Sequence, residues 1–187
     1  MSVSYLPKKW AEITREERYY TMALSEYAQK DQLKFMNWII EETGLKLDSD
    51  NWDIGIEVCL YRDFLWYTDK FIGPTDYSPK RTFDLCLFHE KAIIVVEAKV
   101  YGRFDSKQLV GFTKDPANIR KLFNLPPEFP VYFVALASSY YFANQKKYGN
   151  KELLALFNNF HLTWRRASEI FEESRFVRAN DLYLRML

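Results

Sequence analysis

The sequence predicts an α/β domain in which helices cover both faces of a mixed central β-sheet, and three observations carry that prediction. A long helical stretch comes first. Three strand-like runs follow, the last two close enough to form a hairpin, and helix and strand patterns then alternate. Early antiparallel pairing followed by strand–helix alternation gives a mixed rather than an all-parallel sheet.

From Thr14 to Thr43 the pattern is helical, with a break expected near Asp31. Thr14 and Glu17 have the spacing of a capping box, and Gly44 stands where a helix would stop. Trp52 to Tyr61 alternates Ile54, Ile56, Val58 and Leu60 against Asp53, Glu57 and Cys59, the period of a first strand. The stretch YTDKFIGPTDYSPKR, with its Gly-Pro and Ser-Pro steps, reads as a loop. A second strand is expected over Thr82 to Phe88 and a third over Ala92 to Val100, turning at Glu90 and Lys91. A helix over Ser106 to Phe123, a fourth strand in VYFVALA and a short helix over Asn150 to Asn158 come next. A short strand over Phe160 to Trp164 and a helix over Arg165 to Glu173 complete the order α-β-β-β-α-β-α-β-α.

One domain over residues 1–187 is the expectation for a chain of this length. The 26 Lys and Arg against 25 Asp and Glu leave a net charge of +1, so any nucleic-acid footprint must be local. No run approaches the ~20 apolar residues of a bilayer helix, and the N-terminal stretch lacks the apolar core of a secretory signal, so a cytoplasmic location is expected. Cys59 and Cys86 lack the spacing of a zinc or redox pair and read as buried thiols. The aromatic residues, 18% of the chain, are expected to pack a core more often than to stack on bases. GxSxG and GxxxxGK[ST] elements are absent, which disfavours serine-hydrolase and P-loop chemistry. His89 at a hairpin tip and His161 beside a strand suggest neither a catalytic dyad nor a metal cluster.

Chemistry is expected at the end of the third strand. Alternation puts Ile93, Val95, Glu97 and Lys99 on one face and Ile94, Val96, Ala98 and Val100 on the other. A two-residue turn at Glu90 and Lys91 sets Asp84 opposite Glu97, whereas an odd-numbered turn would send Asp84 to the wrong face. Opposed side chains have Cβ atoms ~5 Å apart, and two carboxylates at that range repel unless a proton or cation lies between them.

Asp84, followed by Glu97-Ala98-Lys99 in a hydrophobic strand, resembles the PD-(D/E)XK nuclease superfamily, with Phe83 where the proline of the name would stand. The likeness spans roughly residues 15 to 175 and implies a restriction-endonuclease-like αβββαβ core. By this resemblance Asp84, Glu97 and the Ala98 carbonyl would hold Mg²⁺ or Mn²⁺, and Lys99 would position the attacking water or stabilise developing charge. Gln108-Leu109-Val110-Gly111-Phe112 is similar to a Gln-xxx-Tyr element of some members. Glu26 is the nominee for an acid on the first helix, ahead of Glu41 and Glu42. The implied activity is hydrolysis of nucleic-acid phosphodiesters, with DNA the foremost partner and a homodimer or larger complex allowed.

Arg103, Lys107, Lys114, Arg120 and Lys121 form a local basic excess suited to phosphate contacts without sequence reading. Two alternatives stay open. Asp84, Glu97 and Lys99 with Arg81 would also make a structural ion-pair network, and the same fold could serve as an inactive nucleic-acid-binding or protein-interaction module.

Overall fold

The N-terminal helical stretch is divided as expected at Asp31. In the computed structural model, which describes residues 8–68, 81–104, 106–144, 155, 157 and 160–186, a short α1 (Trp10–Ile13) precedes α2 (Glu17–Lys30) and α3 (Gln32–Thr43). Asp31 leaves helical geometry at φ −145° and its carboxylate accepts the Lys34 N–H at 3.0 Å, so the residue that ends α2 also caps α3. Gly44 closes α3 at φ 69°, a left-handed conformation that glycine adopts without a Cβ clash. The expected capping box does not form. Thr14 Oγ1 accepts from Glu16 N–H at 3.2 Å, and the Glu17 carboxylate is drawn away to residues 99 and 100.

Strand β1 (Asp53–Val58) is shorter than its alternating pattern suggests. Glu57 takes φ 50°, and Leu60 opens a helix, α4 (Leu60–Tyr67), instead of continuing the strand to Tyr61. Leu60, Tyr61 and Leu65 are buried on one side of that helix, so helical spacing wins over the two-residue period there. Strands β2 (Phe83–His89) and β3 (Ala92–Ala98) form the hairpin with its turn at Glu90 and Lys91. Helix α5 (Ser106–Phe123) crosses to β4 (Val131–Ala137); α6 (Ser139–Ala143), β5 (His161–Thr163), α7 (Trp164–Phe171) and α8 (Ser174–Leu182) follow, with a 3₁₀ turn at Tyr183–Met186. Much of the expected loop after Tyr67, and all but residues 155 and 157 of the helix expected over Asn150 to Asn158, lie outside the described residues; those two are helical.

The sheet has five strands in the order β1-β2-β3-β4-β5, with β1, β2 and β3 antiparallel and β3, β4 and β5 parallel. It is therefore the mixed sheet flanked by helices that the pattern predicts. The expected succession of three uninterrupted strands is corrected by α4, which stands between β1 and β2. One face, with Leu85, Leu87, Ile94, Val96 and Leu136, packs under α2, α3, α7 and α8. The other, with Cys86, Ile93, Val95 and Phe133, packs under α4, α5 and α6. Among the described residues no helix is long and apolar enough to cross a membrane.

Candidate active site

The register of the hairpin brings two carboxylates together at its open end. Leu85 pairs with Val96, Cys86 with Val95 and Phe88 with Ile93; one step further along that register stand Asp84 and Glu97. The turn has two residues, so both lie on the face shared with Cys86 and Val95, whereas Ala98 and Val100 enter the core on the other face. Glu97 is only 6% exposed. Asp84 Oδ2 accepts the Ala98 N–H at 2.7 Å, and Glu97 Oε1 accepts from Gln108 Nε2 at 3.1 Å. Glu97 Oε2 is buried with no hydrogen-bond partner among the described residues.

Both carboxyls hold their protons more tightly than usual. Burial pushes Asp84 up to about 6, against the Ala98 N–H and the Lys99 charge, with Glu17 and Glu57 adding to the rise. Burial and then the charge of Asp84 push Glu97 up to about 7, opposed by Lys99 and Arg81. A buried carboxylate beside a half-buried one is costly without a cation or a shared proton.

Lys99 closes the cluster from below. Its ammonium lies 2.8 Å from the Ala98 carbonyl oxygen, 3.0 Å from Glu17 Oε1 and 3.6 Å from Glu97 Oε1, with the Phe104 ring 5.6 Å away. Burial pulls this amine down, and Glu17, Glu97 and Asp84 together outweigh it, so it is held above its ordinary value. The Lys99 carbonyl accepts from Trp164 Nε1 at 3.0 Å, which fixes the chain where β3 leaves the sheet.

The residue that sequence reasoning missed is Glu17. Its Oε1 takes Lys99 Nζ and its Oε2 takes the Val100 N–H at 3.1 Å, so the acid from the N-terminal helices that reaches the cluster stands in the first turn of α2. Glu26 lies elsewhere: its exposed carboxylate is 3.3 Å from Arg175. Glu42 pairs with Arg166, and Glu41 lines a groove between α3 and α7. No local signal marks Glu17, because its position at a helix start already offers a capping use.

Arg81 does not pair with Asp84. Its guanidinium meets buried Asp115 at 3.0 Å, lies over the rings of Phe83 and Phe112, and rests where a Cβ on Gly111 would stand 3.3 Å away; Tyr61 donates to the other Asp115 oxygen at 2.7 Å. The expected basic residues are spread along α5, with Arg103 just before it. Arg103 and Lys114 are exposed, the Lys107 side chain lies outside the described residues, and Lys121 is exposed at the far end. Arg120 is half-buried and spends its Nε–H on the Phe129 carbonyl at 2.6 Å. At ~1.5 Å per residue, Arg120 and Lys121 stand ~20 Å along the helix from residue 107.

Among the described residues, no group of three or more His, Cys, Asp and Glu side chains is arranged to hold a metal ion. The donors present are Asp84, Glu97 and the Ala98 carbonyl, all oxygen, with the orphaned Glu97 Oε2 among them. That set fits a small hard cation that keeps several waters, and it does not fit a soft or nitrogen-seeking metal. His89 stacks on Trp52 and His161 packs on Phe142, which places both imidazoles in aromatic contacts. Compared with family models and with curated proteins, the chain finds no match.

Proposed function

We propose that this chain is a metal-dependent nuclease of the PD-(D/E)XK type, hydrolysing phosphodiester bonds of nucleic acid, DNA foremost. The observation that carries the reading is half-buried Asp84 beside buried Glu97 at one level of the hairpin, with an oxygen of Glu97 that has no partner among the described residues and Lys99 two residues beyond. A bound Mg²⁺ or Mn²⁺ would activate a water and polarise the phosphate.

The protein's own groups divide the remaining work. Asp84 is held by the Ala98 N–H through Oδ2, which leaves Oδ1 for the cation. Gln108 donates its amide to Glu97 Oε1 and leaves Oε2 without a partner among the described residues. Lys99 carries positive charge at the place where negative charge develops, and Glu17 holds its ammonium on station. The element order departs from the αβββαβ core of the named family by α4 between the first two strands, and the mixed sheet flanked by helices is what supports the reading.

One observation favours a second reading. The Lys99 ammonium already rests on the Ala98 carbonyl and on Glu17, so the cluster is partly neutralised without a cation, as suits an inactive binding module. Calorimetric titration of Mg²⁺ and Mn²⁺ into wild type and Asp84→Ala, with cleavage assays on single- and double-stranded substrates, separates the two. Binding and cutting by wild type alone support the nuclease. Nucleic-acid binding without cation uptake or cutting by either protein supports the module.

A further inference from the structure

We infer that the lip of this centre, built from Arg15 and Tyr101, receives an unpaired stretch of nucleic acid, so that single strands and frayed ends are the preferred substrates. The inference rests on the nuclease reading above and adds the form of the substrate.

Position comes first. Glu17 binds the Val100 N–H and the Lys99 ammonium, so the residue two before Glu17 and the residue after Val100 are brought together beside that pair. These are Arg15 and Tyr101. Their side chains meet there, the guanidinium carbon 4.5 Å above the centre of the phenol ring. Both are exposed, Tyr101 at 37%, in a chain whose other aromatic rings are mostly packed into the two cores.

Charge comes second. Neighbouring Arg18 is paired with Glu57 at 3.2 Å, and Lys99 with Glu17. Arg15 has no carboxylate partner among the described residues; the Tyr101 ring is what holds it. A guanidinium held over a ring keeps N–H groups to meet a phosphate, and arginine planes and tyrosine rings are both surfaces on which a base can stack.

Space comes third. Gly102 follows Tyr101 at φ 124°, a conformation that side chains other than glycine rarely adopt, and a Cβ built there meets nothing within 4 Å among the described residues. The residue next to the ring is therefore uncrowded by its described neighbours. A base inside a duplex has both faces covered by its stacked neighbours, whereas an unstacked base of a single strand offers a face, and base–aromatic stacking is tolerant of sequence. A strand held there by one stacked base passes its neighbouring phosphate toward Asp84 and Glu97.

The test is binding of a fluorescent thymidine oligonucleotide and of a blunt hairpin duplex, at low salt with Ca²⁺ in place of Mg²⁺. Wild type, Tyr101→Ala, Tyr101→Phe and Arg15→Ala are compared, and all four are checked for folding by circular dichroism. Tyr101→Ala and Arg15→Ala are expected to weaken single-strand binding about tenfold and leave duplex binding within twofold, while Tyr101→Phe stays near wild type. Equal losses on both substrates, or none on the single strand, overturn the inference. Cleavage by wild type and Asp84→Asn tells the two ideas apart: metal-dependent cutting of duplex only, lost in Asp84→Asn, keeps the nuclease and removes the unpaired-strand preference. A protein that neither binds nor cuts either substrate removes both.

Discussion

Asp84 and Glu97 keep protons in the folded protein at pH values where an unfolded chain has lost them. Their ordinary values lie near ~4. Between that value and about 6 to 7 the native state therefore binds more protons than the unfolded state, and stability falls as pH rises through this window. Urea unfolding of metal-free protein at pH 5 and pH 8 should show the loss, by about 1 to 3 kcal/mol relative to Asp84→Asn, whose profile should be flatter. A wild-type profile parallel to that of the variant would count against the shared-proton account. Added Mg²⁺ should restore stability chiefly at the alkaline end, because only ionised carboxylates recruit it. At this scale Asp84, Glu97 and Lys99 were legible, since a two-residue turn and strand alternation leave little freedom in where they fall. Glu17 was not. Its partner stands 82 residues away along the chain, and nothing local distinguishes a first-turn acid that caps from one that reaches across to another element.

Helix α5 contains a glycine where helical preference alone would favour alanine by about 1 kcal/mol. Gly111 gives that up to the guanidinium of Arg81, which is fixed by Asp115 and by the rings of Phe83 and Phe112. Gly111→Ala should therefore lower stability by about 1 kcal/mol in wild type, the contact at 3.3 Å having no free direction in which to relax. In an Arg81→Met background the same change should become neutral or stabilising, and the coupling is read from a double-mutant cycle by denaturant unfolding. Additive effects would show that the helix tolerates the methyl and that the seat for Arg81 is loose. Asp31→Ala tests another element boundary: loss of the bond to Lys34 N–H should cost about 1 kcal/mol in the same assay, and no change would mean the cap is not used in solution. The strand that became a helix shows where pattern reading fails between elements. Leu60 continues the alternation of β1, yet Leu60, Tyr61 and Leu65 satisfy helical spacing equally well, and only the backbone turn at Glu57 decides between them.

Across the molecule, the last helix braces the first residues of the site. Arg178 on α8 donates to the Tyr20 hydroxyl at 3.1 Å and to the Thr14 carbonyl at 3.0 Å, and Tyr20 donates to that carbonyl as well. These bonds fasten the start of α2, from which Glu17 reaches Lys99. Arg178→Met should therefore speed hydrogen exchange of the amides at the start of α2 by about tenfold while leaving those of β2 and β3 unchanged. Uniform acceleration through the sheet would instead mean that Arg178 supports global stability alone. The mixed sheet and its flanking helices were legible from the order of periodic segments, because each run carries its own hydrophobic face. The brace was not legible, since it joins residues 164 positions apart by polar groups that follow no period.

The indole of Trp164 that holds the Lys99 carbonyl has a consequence for the birth of the protein. During translation a chain grows from its N-terminus at ~5–20 residues per second. The β2–β3 hairpin, with both carboxylates, can leave the ribosome and close while Trp164 and Arg178 are still untranslated. For several seconds the nascent protein would carry Asp84 and Glu97 without the anchors that fix Lys99 and the start of α2, so the cluster takes its final form only once residues 164 and 178 have been made.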